Sequence, residues 1–149
     1  MSIWFHKPEK ERLAARSEKT MLQHLGIEIT EVGDDFIRGT MPVDHRTHQP
    51  MGILHGGASM VLAETLGSIG ANCCVDPEKN YCVGLEINGN HVRSVRGGKV
   101  SGCARPCHLG SSTHIWEVRI RDEEERLICI SRITLAVLPH KRVSEKQAL

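Results

Sequence analysis

The sequence predicts an α+β domain in which one antiparallel sheet wraps around a long central helix. Three observations predict it. An apolar run over about residues 54–74 has the length of a helix and reads as buried. Two strand-like segments precede it and four follow it, each bounded by turn-forming residues. A long apolar helix beside one run of antiparallel strands has to lie against that sheet to bury itself.

The elements follow in order. Residues 9–25 read as a polar amphipathic helix whose apolar contacts are Leu13, Met21, Leu22 and Leu25, with Gly26 as its stop. Strands are predicted over 27–32 and 36–43, across a Gly-Asp-Asp turn. Pro42 and Pro50 bracket a loop over 44–49, and the central helix follows. The last strands are predicted over 81–92, 99–107, 113–121 and 127–137. Gly97-Gly98, residues 108–112 and the acidic residues 122–125 separate them, the last as a solvated hairpin tip. The polar tail after Pro139 is expected to fray. A sheet of this kind keeps open edges, and an edge strand invites pairing with a second copy.

Length and composition exclude several classes. The 149 residues suit one domain, 1–149, with a substantial core. Nineteen basic against eighteen acidic side chains leave no electrostatic footprint for nucleic acid. Trp4, Phe5, Phe36, Tyr81 and Trp116 are the only aromatics, too few for a base-stacking surface. The six cysteines contain no C-x-x-C pair, against a zinc ribbon or a thioredoxin-like site. The first residues hold no basic segment followed by an apolar run, so reduced thiols in a cytoplasm are expected. The apolar stretch over 53–75 is long enough to span a membrane, but Glu64, Asn72, its glycines and its hydroxyls argue against that. His45, His48 and His55, with Asp44, match no metal-ligand spacing, and no metal is expected.

Glu64 is the only formally charged side chain between Arg46 and Asp76. A carboxylate in an apolar helix is costly unless it is partnered or its pKa rises. It is either a structural acid held by polar partners or a catalytic one. Ser68 lies one helical turn away, at i,i+4, placed to orient the carboxylate or a water. Upstream, His55-Gly56-Gly57 opens the helix. The first N–H groups of a helix lack intrahelical partners and lie at its positive end, so they suit a carbonyl oxygen that gains charge. A glycine pair needed for packing is the alternative. Gly56 and Glu64 stand eight positions apart, about 12 Å along a helix axis. Both cannot reach one carbon from a single helix. Two antiparallel copies would bring Gly56 of one to Glu64 of the other, which predicts a homodimer with two shared sites. Arg93 and Arg96, near the end of a strand, suit a diphosphate or are simply exposed.

Three segments together carry a family resemblance. They are Met41-Pro-Val-Asp-His-Arg-Thr-His-Gln-Pro-Met-Gly-Ile-Leu-His-Gly-Gly-Ala-Ser, the following Ala63-Glu-Thr-Leu-Gly-Ser68, and Val83-Gly-Leu-Glu-Ile-Asn-Gly-Asn-His-Val-Arg. The chain from about Leu22 to Leu138 resembles the hotdog-fold acyl-CoA thioesterases, in the 4-hydroxybenzoyl-CoA thioesterase-like group. That group includes the 1,4-dihydroxy-2-naphthoyl-CoA thioesterase of menaquinone synthesis and the proofreading thioesterase of enterobactin synthesis. The resemblance implies hydrolysis of an aryl- or medium-size acyl-CoA to the free acid and coenzyme A. Coenzyme A is then part of the substrate, and no separate cofactor is implied. By matching position, Glu64 is nucleophile or general base, and Gly56 N–H with Gln49 holds the thioester carbonyl. His55 supports that site or the leaving thiol, and Ser68 positions water or carboxylate. Gly84, His91, Val92, Arg93 and Ser94, with His108, Leu109, Gly110, Ser111 and Ser112, fall where the family contacts coenzyme A. The resemblance also implies a dimer of dimers. Met51 and Asn72 depart from the aromatic residues of relatives, which leaves the acyl group open. A thioesterase acting on carrier-protein-bound aryl groups, a hotdog dehydratase and a non-catalytic acyl-CoA-binding protein are the alternatives.

Overall fold

The computed structural model describes residues 1–140, so most of the tail expected to fray lies outside the described residues. Its elements are α1 (Lys10–Ser17), α2 (Met21–Leu25), β1 (Glu28–Val32), β2 (Ile37–Pro42), α3 (Gly56–Cys73), β3 (Asn80–His91), β4 (Lys99–Leu109), β5 (Thr113–Arg121) and β6 (Leu127–Pro139). The six strands form one sheet in the order β1-β2-β4-β5-β6-β3. Every neighbouring pair is antiparallel. Consecutive strands β4, β5 and β6 are joined by tight turns. β3 pairs with β6 and so becomes one edge, while β1 is the other.

Alternation explains the middle of the sheet. His114, Trp116, Val118 and Ile120 of β5 are buried, and the residues between them are more exposed. They meet α3, whose Leu62, Ala63, Leu66 and Ala71 are fully buried. The contact is close because α3 presents glycine there. A Cβ on Gly67 would lie 2.5 Å from Ile133 Cγ2, and one on Gly70 would lie 2.7 Å from the Trp116 ring. The sheet therefore fills the space that glycine leaves on the helix at these two positions.

Two local expectations are corrected. The helix predicted over 9–25 is two helices. Lys19 adopts a left-handed φ of 59°, which a continuous helix does not allow. The Ser17 hydroxyl donates back to Leu13 O at 2.8 Å, and Thr20 Oγ1 accepts from Leu22 N to start α2. Gly26, at φ 69°, ends α2 as expected. The acidic turn over 122–125 is not wholly solvated. Asp122 is only 6% exposed and accepts from Glu124 N, Arg126 N and Arg126 Nε at 2.8–3.0 Å. Burial opposes its charge, but these donors hold its carboxyl below the usual range.

The first residues also belong to the core. The Trp4 indole N–H donates to Gly33 O at 2.7 Å, and its ring stacks on Trp116. Phe5 N donates to Cys73 O at 2.9 Å, satisfying a carbonyl at the end of α3. Among the described residues, no helix is long and apolar enough to cross a membrane.

Gly70→Ala tests the helix–sheet contact. Its helix-propensity gain of about 1 kcal/mol is outweighed by overlap with a fully buried indole, a class of change that costs about 1–3 kcal/mol. Urea unfolding should show a net loss of stability. Unchanged or greater stability would show that the contact is not close.

Candidate active site

Two stretches build one end of the site. The loop over 44–55 folds back on itself through Gln49 N to Ile53 O and His55 N to Thr47 O, at 2.9 and 2.8 Å. It is pinned to the segment after β3 by Leu54 N to Val95 O at 2.8 Å. Arg96 braces it further. Its guanidinium donates to Met51 O at 3.3 Å, and its carbonyl accepts from His48 Nε2 at 2.9 Å. Arg96, one of two candidate phosphate ligands, is thus engaged in holding the loop.

His55 is the N-cap of α3. Its Nδ1 accepts from Gly57 N at 2.8 Å. The neighbouring Gly56 N–H meets no acceptor among the described residues, so it points its donor outward at the positive helix end. Gln49 Oε1 accepts from Met51 N, which can only donate. That fixes the amide and leaves its NH₂ free to donate. Gln49, Gly56, His91, Val92, Arg93 and Ser94 line a groove of about 400 Å³. A Cβ on Gly56 would lie 2.8 Å from His91 Nε2, so the His91 ring would have to shift to admit one.

Glu64 is not in that groove. It lies two helical turns on, half-buried, and faces β3. A Cβ on Gly84 would come within 2.5 Å of Glu64 Oε1, so a larger residue there would push the carboxylate aside. β3 carries a bulge between Gly84 and Glu86, which places Gly84 beside the acid. Glu64 has no ion-pair partner among the described residues. Burial raises its pKa. Ser68 lies one turn beyond, also half-buried.

The residues implied to contact coenzyme A divide into two groups. His91, Val92, Arg93 and Ser94 join the Gly56 end. The turn containing His108, Leu109, Gly110, Ser111 and Ser112 lies at the other end of the sheet. Leu109 pairs with His114, His114 with Leu135, and Leu135 with Gly84. His91 is seven residues along β3 from Gly84, or about 23 Å at ~3.3 Å per residue. One protomer does not bring the two groups together.

Comparison with known proteins decides the family. The model of the thioesterase superfamily matches residues 51–129. The chain belongs to the thioesterase superfamily. It is 51% identical over 136 residues to the 1,4-dihydroxy-2-naphthoyl-CoA hydrolase of Escherichia coli K12, covering 91% of this chain and 99% of that one. It is 48% identical over 136 residues to the proofreading thioesterase EntH of Cronobacter turicensis, covering 91% and 98%. The structure matches that of a mutant thioesterase from Pseudomonas aeruginosa with a TM-score of 0.92 and 46% identity, over 93% of this chain and all of the other. The hotdog fold and thioester hydrolase activity expected for this thioesterase both stand.

Sequence reasoning singled out Asn72 as a departure from the relatives but missed its structural role. Its side chain donates to Ser68 O and Cys82 O at 2.9 and 3.1 Å and accepts from Cys82 N at 2.8 Å. It clamps α3 to edge strand β3. The helical i,i+4 spacing from Ser68 was visible, but the Cys82 partner was not. The thiols nearby are inert at neutral pH: burial pushes Cys74 up to about 12 and Cys82 up to about 11, and raises Cys73. All six cysteines are unpaired. Among the described residues, no cluster of three or more His, Cys, Asp or Glu gathers to hold a metal.

Two substitutions test the acid's environment. A carboxyl whose folded pKa is raised stabilises the fold fully below its unfolded pKa, and that contribution is lost as pH rises through the folded value. Glu64→Gln should therefore raise the Tm at pH 7, with the difference from wild type shrinking toward pH 4. Gly84→Ala should displace the carboxylate and cut turnover at least tenfold with little change in Tm. Normal turnover by that variant would show that Glu64 has room to spare.

Proposed function

We infer that the chain hydrolyses an aryl- or medium-size acyl-CoA to the free acid and coenzyme A, with 1,4-dihydroxy-2-naphthoyl-CoA as the leading substrate. Similarity to the E. coli hydrolase of that thioester supports the choice. Similarity to a proofreading thioesterase keeps carrier-protein-bound aryl groups as the second reading. Six unpaired cysteines suit a reducing cytoplasm.

One observation carries the mechanism: α3 holds a free Gly56 N–H at its start and an unpaired, half-buried Glu64 two turns later. The thioester carbonyl accepts from Gly56 N–H and the Gln49 amide, which stabilise the oxyanion as it forms. Glu64 attacks the carbonyl carbon, or takes a proton from the water that does. The carbon–sulfur bond breaks, and coenzyme A leaves as the thiol, protonated by the carboxyl that activated the water or, on the covalent path, by a solvent proton; on that path water then cleaves the Glu64 anhydride, which releases the acid and restores the carboxylate. Ser68 orients the carboxylate or the water. His55 holds the helix start in register for the carbonyl.

The spacing of Gly56 and Glu64 on one helix calls for Glu64 of the partner subunit at each site. The separation of the 91–94 and 108–112 segments calls for the same arrangement. Edge strand β3 is suited to pairing between copies: Val83, Leu85 and Val92 are 39, 65 and 56% exposed along it or at its end. Assembly into a dimer of dimers is the larger state proposed.

Glu64→Gln should lower kcat at least 10³-fold against an aroyl-CoA, measured by thiol release. The wild-type profile should show an acid limb above the ordinary glutamate pKa of ~4.3, since only ionised Glu64 is competent. A profile unchanged by the substitution would remove Glu64 from the mechanism. Co-expressed Glu64→Gln and Gln49→Ala chains should regain activity, about a quarter of wild type at random pairing. Mixed dimers as inactive as each parent would rule out shared sites.

A further inference from the structure

Glu64 is held by its walls rather than by a partner. No ion pair engages its carboxylate among the described residues, and burial alone perturbs it. One wall is the backbone of β3 at Gly84. The place of β3 relative to α3 therefore decides where the carboxylate can lie. β3 is a sheet edge, bonded to β6 on one side and open on the other. An edge strand of this kind can shift against a helix unless something ties the two together.

Asn72 is that tie. Cys82 sits opposite Val137, whose N–H donates the other way, to Ser112 O at 2.9 Å. The N–H and C=O of Cys82 therefore point to the open side of β3, since both groups of a residue in an antiparallel ladder face the same neighbour. Asn72 takes both. Its Oδ1 accepts from Cys82 N at 2.8 Å, and its Nδ2 donates to Cys82 O at 3.1 Å. One amide side chain does for Cys82 what a further strand would do. The same Nδ2 donates to Ser68 O at 2.9 Å, which locks the amide to its own helix. Among the described residues, the other hydrogen bond between α3 and β3 is a weak one, from the Cys82 thiol to Ala71 O at 3.5 Å.

We propose that Asn72 is a positioning residue for the catalytic carboxylate: by standing in for a missing strand at Cys82, it holds Gly84 beside Glu64. The proposal rests on the thioester hydrolase reading and extends it to how the acid is kept in place. Two residues of strand, about 7 Å, separate Cys82 from Gly84. On the far side of Gly84 the ladder to β6 is broken by the bulge before Glu86. Gly84 thus lies between a fixed point and a soft one. Without the fixed point, β3 shifts against α3, and Glu64 loses the wall that sets its carboxylate. A displacement of about 1 Å in a reacting geometry can cost about 10²-fold in rate.

The test is steady-state thiol release from an aroyl-CoA by Asn72→Ala, Gly84→Ala and the double variant, well below their Tm values, with Cys82 amide exchange read by NMR on the whole protein. Asn72→Ala should lower kcat at least tenfold and leave KM within twofold. Both substitutions disturb the seat of one carboxylate, so kcat of the double variant should fall little below that of the worse single one. Losses that multiply would overturn the proposal. So would full kcat in Asn72→Ala whatever its Tm, or a loss confined to KM. The Cys82 N–H should exchange slowly in wild type and at least tenfold faster in Asn72→Ala. Fast exchange in wild type, or a rate that the substitution leaves unchanged, would remove the clamp. Should Asn72→Ala fail to fold, Asn72→Asp takes its place with the same expectation for kcat, because it loses the donor to Cys82 O. Absence of thiol release by wild type from every acyl-CoA would instead defeat the hydrolase reading, and this proposal with it, whatever the exchange rates.

Discussion

The close approach of α3 to the sheet sets the geometry of everything else. Gly67 and Gly70 let the helix axis settle against Ile133 and Trp116, nearer than any larger residue allows. With that face fixed, the remaining faces are fixed too. The helix start projects from one end of the sheet, where the pinned loop and the segment after β3 meet it. The flank bearing Glu64, Ser68 and Asn72 lies along edge strand β3, with Ser68 and Asn72 also bordering a groove between α3 and α1. A helix riding higher on the sheet would move Glu64 away from Gly84 and break the Asn72 clamp.

This packing explains how an acid is tolerated in an apolar helix. Glu64 is set against backbone at Gly84, where no side chain competes for space, and its surroundings raise its pKa without trapping it in an ion pair. An ion pair would lower its basicity and hold it in place. The site therefore depends on an unpartnered charge, and the cost is met by the fully buried apolar contacts on the other side of the same helix.

Much of this was legible in the sequence. The strands and central helix declare themselves through period and punctuation, and Glu64 through isolation in an apolar run. Gly56 stood out as the helix start and Gln49 through the family resemblance, and one groove brings both beside His91 and Arg93. What was not legible depends on long-range contact. Trp4 packs on Trp116 from the far end of the chain. The break between α1 and α2 turns on the backbone of Lys19, a residue with no preference for that conformation. Gly84 matched the family's coenzyme A contacts by position, yet its nearest side-chain neighbour is Glu64, a pairing that a β-bulge creates. The acidic turn looked uniformly solvated because its central role for Asp122 comes from backbone donors that sequence does not display.

The buried thiols acquire a meaning from the chemistry beside them. A thioester exchanges its acyl group readily with any thiolate, and Cys73 and Cys74 sit at the end of the helix that carries Glu64, with Cys82 beside Asn72. Burial keeps all three protonated through the neutral range. Desolvation thus withholds these three thiols as competing nucleophiles for an activated acyl group, while leaving water as the final acceptor.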